Sequence, residues 1–504
     1  MNTGLYLAQS YQDAWSDYQR SVRNASFPVW DYVVLTASNA HQAEGFQAQL
    51  DARRAFLPAR TRFLVLPDEG GVRVGSGGAT LSVLKAIRER EPSFAGQRIL
   101  VIHSGGDSKR IPQYSAVGKL FSPVPHLLPD GRPSTLFDEF MIAMSAVPGR
   151  IREGMLLLSG DVLLLFNSLL IDYPGHGAAA ISFKEKVETG KDHGVFLRGE
   201  DGTVRTFLHK QSEETLRAAG AVNESGAVDI DTGAVIFGSD MLESLYSLIS
   251  TGGLFDSGKY RALVNSKVRL SLYGDFQYPL ASDSTLEQFY REKPEGDYTD
   301  ELLSARKAVW QALRPYRMKL LRLAPAKFIH FGTTQEVLRL MDEETPQYSH
   351  LGWSRCVACS MEGSAGYNSV VSPRAEVGEH CYFEVSYVHG GAKIGEGSIL
   401  SCLEIHAGDV VPPHTVLHGL KQTDGRFVCR IYGVADNPKD SLFFGKPLEG
   451  DLWEEGEEHT LWNACLYPVC DTIREAVVWA LKLPEMATAG IWPEEWKACT
   501  RKSL

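Results

Sequence analysis

Nine apolar residues between positions 371 and 417 fall into three superposable triplets. Val371, Val377 and Phe383 stand six apart, as do Val388, Ile394 and Leu400, and again Ile405, Val411 and Leu417. Each triplet lies seventeen residues beyond the last, and a glycine follows Val377 and Ile394. A six-residue step with one apolar position is the pattern of a hexapeptide β-helix. Each step makes one side of a triangular coil and turns its apolar residue inward. The spacing therefore predicts a left-handed β-helix over residues 366–451, with three coils, near the minimum for a stacked core. Chance periodicity in a β-rich stretch is the plain alternative.

The first 240 residues follow another rule: short apolar runs alternate with helical patterns. Trp30 to Thr36, Thr61 to Pro67, the run from 98 and Gly154 to Ser159 read as strands. Ala40 to Arg54, Gly75 to about Arg90 and Ser134 to Ala146 read as helices. Such alternation predicts an α/β, Rossmann-like domain, a mostly parallel sheet with helices on both faces. Ligands in such folds sit beyond the carboxyl ends of the strands. Residues 284–323 lose the β pattern and carry Leu302, Leu303, Val309, Leu313 and Met318 at roughly helical spacing. The expected organisation is an α/β domain over 1–283, a helical connector over 284–365 that returns to it, the β-helix over 366–451, and a helical segment over 452–504 whose best helix is Thr472 to Leu483.

The segment from Arg98 to Pro125 carries the chemistry. A strand breaks into Ser104-Gly105-Gly106, where glycines let backbone N–H groups approach a ligand closely. Lys109, Arg110 and Lys119 follow. Strand, glycine turn and cations together describe a site for a polyanion such as a nucleoside triphosphate. A P-loop is disfavoured, because Gly118-Lys119 is followed by Leu120 and no glycine stands five residues before Gly118. The Gly75-Ser76-Gly77-Gly78-Ala79-Thr80 run fits a second phosphate- or base-contacting loop better than a dinucleotide fingerprint.

Moving a phosphoryl or nucleotidyl group requires charge neutralisation, usually by cationic clamps and a carboxylate-held Mg²⁺. Asp161 follows the run MLLLSG, which puts it at the ligand edge of the sheet, although a helix cap would also explain it. Asp275, in SLYGDF, is the second candidate ligand, and Gly-Asp is also a common turn. Small polar groups beside glycines at His193-Gly194 and Asp231-Thr232-Gly233 suit sugar hydroxyls, and ordinary loop residues fit equally. Lys210 ends a strand with a cation.

A net charge of −11 without a basic tract argues against a nucleic-acid partner. No apolar run approaches the ~20 residues of a membrane span. The N-terminus lacks the basic and apolar regions of a signal peptide. All eight cysteines follow residue 355, and Cys356 and Cys359 form a lone C-x-x-C, a weak zinc signal. Reduced, structural cysteines in a cytoplasmic protein are expected.

The order G-G-x-x-x-R-x-P followed by Gly-Lys resembles the signature loop of the sugar nucleotidyltransferases. Within that superfamily, whose catalytic domain is GT-A-like, the chain resembles the fucose-1-phosphate guanylyltransferases and the pyrophosphorylase half of the bifunctional fucokinase enzymes. The matching segments are WDYVVLTASN, VGSGGATL, LVIHSGGDSKRIP, AVGKLF, DHGVF, FLHK, LYGDF, KFIHFGTTQEVL, YGVADNPK and LWNACLYPVC, in the family's order over about residues 28 to 480. No kinase-type phosphate loop follows residue 325, so a stand-alone transferase is expected. The resemblance implies GTP and β-L-fucose 1-phosphate as substrates, with Mg²⁺. It implies that Arg110, Lys119 and Lys210 are catalytic, and that Gly75, Ser76, Gly77, Gly78, Gly105, Gly106, Asp107 and Ser108 bind the nucleotide. His193, Gly194, Lys210, Asp231, Thr232 and Gly233 would hold the sugar phosphate, and Asp161 and Asp275 the metal. Two departures stand out: Gly118-Lys119 where most pyrophosphorylases have Pro-Lys, and Gln211 where relatives have Pro, which leaves the placement of Lys210 open. Alternatives are a related sugar 1-phosphate of the L-galactose or D-arabinose type, and a catalytically silent homologue. An acyltransferase would need a histidine between coils, for which His389, His406 and His414 are available. The β-helix would otherwise be structural or a homo-oligomer contact.

Overall fold

The computed structural model describes residues 3–104, 106 and 108–504. Gly105 and Asp107 of the glycine loop therefore lie outside the described residues.

The chain forms two compact units: Met1–Gly106 with Phe137–Ile329, and Asp107–Leu136 with His330–Leu504. This corrects the contiguous division expected from sequence. Residues 107–136 pack with the C-terminal half, and 284–329 pack with the N-terminal half. The reason is tertiary pairing, to which local periodicity is blind. The connector carries the expected helices at Leu286–Arg291 and Asp300–Leu313, but it ends in a strand, Met318–Arg322, which joins the main sheet in parallel with Ala178–Lys186.

In the first unit the strands Tyr32–Ala37, Arg62–Pro67, Arg98–His103 and Gly154–Ser159 pair in parallel. Three of them are near-continuous runs of buried apolar residues, as expected where helices cover both faces. Ala227–Phe237 then pairs antiparallel with Gly154–Ser159 on one side and Ala178–Lys186 on the other. Its register slips between Asp231 and Val235. Gly194–Arg198 and Val204–His209 extend the sheet from its other half. The helix Gly75–Arg88 buries Leu81, Val83, Leu84 and Ile87 against the apolar core that also holds Val101 and Leu157.

In the second unit the triplets pair as their spacing predicts. Val371, Val388 and Ile405 lie in one parallel ladder. Val377, Ile394 and Val411 lie in a second, and Phe383, Leu400 and Leu417 in a third. The second and third triplets are at most 3% exposed, so their apolar positions are core, while Val371 and Val377 of the first are half-buried. Thr415–Lys421 then pairs antiparallel with Phe427–Gly433. The helix Ile473–Ala489 starts from a Thr472 cap whose hydroxyl accepts from the Glu475 N–H. All eight cysteines are free thiols. Among the described residues no helix is long and apolar enough to cross a membrane.

Candidate functional site

The carboxyl edge of the first unit's sheet is built by register. Thr36, His103 and Ser159 lie side by side at the ends of three parallel strands. His103 sits with Nδ1 3.5 Å from the Thr36 hydroxyl and Nε2 3.1 Å from the Thr80 hydroxyl. Burial lowers its pKa to about 4, so it is a neutral strut at pH 7. The turn after Ser159 must be glycine, because a Cβ on Gly160 would lie 2.9 Å from the Ser104 Cα. That tight turn delivers Asp161, half-buried, with its Oδ1 accepting from the Ser159 hydroxyl at 2.6 Å.

The slip in Ala227–Phe237 completes this cluster. A bulge re-aims side chains at a sheet rim, and here Gly233 takes a positive φ of 73°. A Cβ there would meet the Ser159 Cβ at 3.2 Å and the Tyr273 hydroxyl at 3.5 Å. Asp231 is buried, with Oδ1 accepting from the Gly233 N–H at 2.9 Å and Oδ2 from Gln277 Nε2 at 3.2 Å. Burial pushes its pKa up to about 6 against those two bonds. Burial also raises the Tyr273 hydroxyl, and the charges of Asp231 and Asp161 raise it further. Both carboxylates therefore act on one phenol. Gly194 belongs here too, since a Cβ on it would fall 2.9 Å from the Asp231 Cβ.

Other expected residues are placed differently. Thr232 is buried, and its hydroxyl donates to the Ile181 carbonyl at 2.6 Å, a strand-to-strand tie. His193 packs edge-on against Phe328, and its carbonyl accepts from the Lys210 N–H at 2.9 Å. Lys210 is exposed and held at a φ of 50°, unusual for a side-chain-bearing residue. His209 beside it is lowered to about 4 by burial and by the Lys210 charge. In Gly75–Gly78 the glycines answer to packing: the Gly77 and Gly78 N–H groups donate to the Leu270 carbonyl at 2.7 and 3.4 Å. A Cβ on Gly75 would fall 2.2 Å from that oxygen, and Ser76 Oγ accepts from the Leu272 N–H at 2.8 Å.

Asp275 has another job. It is 1% exposed, and its Oδ1 pairs with Arg306 Nε at 2.8 Å while Oδ2 accepts from the Ser271 N–H at 2.7 Å. Both oxygens are engaged by an equally buried partner and the backbone. This is a buried ion pair, and it engages the carboxylate that the sequence offered as a metal ligand. The sequence signal, a Gly-Asp after a strand-like run, could not reveal an arginine thirty-one residues away.

The cations of the signature loop belong to the second unit. Gly106, in the first unit, is held by its carbonyl, which accepts from Gln42 Nε2 at 3.2 Å. Ser108, at a φ of 52°, accepts through its carbonyl from the Ile111 N–H at 2.7 Å. The Arg110 side chain is exposed, and its carbonyl accepts from the Thr334 N–H at 3.0 Å and lies 3.2 Å from the Thr334 hydroxyl. Lys119 Nζ donates to the Gly332 carbonyl at 3.4 Å. One short segment, 332–334, thus ties down both cations. Behind it, buried Gln113 accepts from the Tyr432 hydroxyl at 2.6 Å and donates its N–H back at 3.2 Å. Thr334 and Tyr432 lie inside KFIHFGTTQEVL and YGVADNPK, yet no sequence argument gave them a task.

The family model of the fucose pyrophosphorylase domain matches residues 92–472, which takes in both the cation-bearing arm and the segments that hold it. The chain belongs to the fucose pyrophosphorylase family. Among curated members, fucose-1-phosphate guanylyltransferase of Mus musculus is 27% identical, over 91% of this chain and 86% of its own. The Homo sapiens protein of the same name is 27% identical, over 90% and 84%. The bifunctional fucokinase/GDP-fucose pyrophosphorylase of Arabidopsis thaliana is 27% identical over 92% of this chain, which spans 49% of the plant protein.

Proposed function

We propose that this protein transfers the guanylyl group of GTP to β-L-fucose 1-phosphate, giving GDP-L-fucose and pyrophosphate. The observation that carries this reading is the family match over residues 92–472, with relatives of that name aligned along nearly the whole chain.

The reaction is an in-line displacement in which a sugar-phosphate oxygen attacks the α-phosphorus of GTP. The nucleophile is already anionic, so the protein needs no general base. Its task is to hold two like-charged reactants and stabilise charge in the transition state. Arg110 and Lys119 would take the triphosphate charge, with Gly105, Gly106, Asp107 and Ser108 as the wrapping loop. The ties to 332–334 support this role: the Thr334 bond fixes the backbone from which the Arg110 side chain begins, and the Gly332 carbonyl holds the Lys119 ammonium. Gly75 and Ser76 would offer nucleotide contacts at the start of their helix. Lys210 would meet the sugar phosphate, and its left-handed backbone fits a residue held for function at a conformational cost. Gly194, Asp231 and Gly233, with His193 and Thr232 behind them, would line the sugar pocket.

Mg²⁺ is held through few carboxylates and completes its shell with water and substrate phosphates. Asp161 fits that demand: it is half-buried at the strand edge, and Asp231 lies close enough for both charges to reach Tyr273. When bound, the ion would supply positive charge at the phosphates. We further read the three seventeen-residue ladders as a left-handed β-helix, and place the protein in the cytoplasm, where free thiols persist.

The test is pyrophosphate release with all four nucleoside triphosphates against a panel of sugar 1-phosphates. Release with GTP and fucose 1-phosphate above every other pair is expected. Silence across the panel would leave a non-catalytic sugar-nucleotide binder.

A further inference from the structure

The coil of the second unit carries a side-chain cluster that the proposed reaction does not use. His389 and His406 are seventeen residues apart, one full turn of the repeat. The pairing of Val388 with Ile405, and the His389 N–H donating to the Ile405 carbonyl at 2.9 Å, bring them to the same corner of successive turns. Their rings stack at 4.8 Å with 23° between planes. Glu404, two residues before His406, sits with Oε1 2.7 Å from His389 Nε2 and 3.8 Å from His406 Nε2. One ligand atom from each of the three lies within 4.8 Å of the others.

We propose that His389, Glu404 and His406 form a binding site for a divalent transition-metal ion of the zinc class. Two imidazoles and a carboxylate make a borderline donor set, which favours Zn²⁺, Ni²⁺ or Cu²⁺ over the oxygen-seeking Mg²⁺ and Ca²⁺. Around a tetrahedral zinc with bonds of ~2.0 Å, ligand atoms stand about 3.3 Å apart. The observed separations bracket that value, so small side-chain rotations suffice. The side chains are 38%, 49% and 40% exposed, which leaves the ion a path from solvent and a fourth position for water.

The scaffold around the ligands is set. The Tyr387 ring packs on His389 at 4.5 Å. The His406 N–H donates to Asp409 Oδ2 at 2.9 Å, and Asp409 is held in turn by Arg474. His414 is not part of the group and lies 3.7 Å from Glu396. A bound ion would staple two successive turns of the coil.

The test uses the full chain and the metals alone. Calorimetric titration with Zn²⁺ should give one ion per chain, and Mg²⁺ should give none at this site. Co²⁺ should produce the visible absorption of a four-coordinate N/O site. His389→Ala and His406→Ala should each weaken Zn²⁺ binding about ten-fold or more, and Glu404→Gln should weaken it without disturbing the coil. Added Zn²⁺ should raise the melting temperature of the wild type and not of His406→Ala. A Cys356→Ser/Cys359→Ser double variant should bind as the wild type does. Absence of saturable binding would overturn the proposal. So would binding that survives the double histidine substitution, or binding that is lost with the cysteines.

Discussion

The acids of the first unit and the cations of the second are held in opposite ways. Asp231 and Asp275 are buried, and each carboxylate oxygen meets its own donor. Arg110 is tied down beneath its side chain, at its carbonyl, and Lys119 is met at its ammonium tip by the Gly332 carbonyl. Physical cost explains the difference. A carboxylate on a short stem is positioned by burying it, and burial demands a partner for each lone pair. A long cationic side chain on a fixed backbone keeps its reach and hydration, as the exposed Arg110 does. Within the first unit the same contrast separates Asp161, half-buried on a hydroxyl, from Asp275, locked to an arginine.

Five substitutions would break or sharpen this comparison. The largest expected effect is on stability. Arg306→Ala strands the Asp275 charge in the core and should cost about 3–5 kcal/mol in urea unfolding, while Asp275→Asn should leave the Mg²⁺ requirement of turnover unchanged. A shifted Mg²⁺ requirement would restore Asp275 as a ligand. Next, Arg110→Ala should lower kcat/KM by roughly 10²–10³ with an unchanged melting temperature, because its tie to Thr334 is through the main chain. Near-normal turnover would remove Arg110 from the phosphate site. Asp161→Asn should reduce turnover by about ten-fold or more and weaken the response to added Mg²⁺, with unfolding little altered. A stability loss in place of a metal effect would make Asp161 a second Asp275.

The last effect is a pH dependence. The Asp231 pKa is raised to about 6 from an ordinary 3.8, so its proton binds more tightly in the folded state. The stability this contributes is complete below the ordinary value and is lost as pH rises through about 6. Asp231→Asn removes the charge, and rotation of the Gln277 amide lets its unpartnered Oε1 accept from the new amide. The variant should match the wild type near pH 4 and exceed it near pH 8, by up to about 3 kcal/mol at ~1.36 kcal/mol per unit. Parallel unfolding curves at both pH values would show that Asp231 is not held as described.

The strands and helices of the first half were legible because parallel buried strands are short apolar runs and their helices carry a different period. Arg98–His103 and Gly154–Ser159 appear where the apolar runs place them. The edge strand Met318–Arg322 was not legible, because it follows a helix and pairs with a strand more than a hundred residues earlier. The glycines at 75–78 pointed to a nucleotide, yet two of their N–H groups serve the Leu270 carbonyl, a contact no local pattern announces. His389 and His406 were visible, with His414, only as histidines of the repeat region; their pairing and Glu404 entered when the ladder placed all three together.

The sequence by itself determined the register of the three ladders, the strand–turn geometry around Asp161 and the family of the chain. Each of these rests on the order and spacing of residues near one another. Only the tertiary structure decided that segment 332–334 meets both the Arg110 backbone and the Lys119 ammonium, and that Asp275 pairs with Arg306. It alone decided that residues 107–136 pack with the C-terminal half. A hydrogen bond or ion pair depends on distance in space, and distance along the chain does not set that distance.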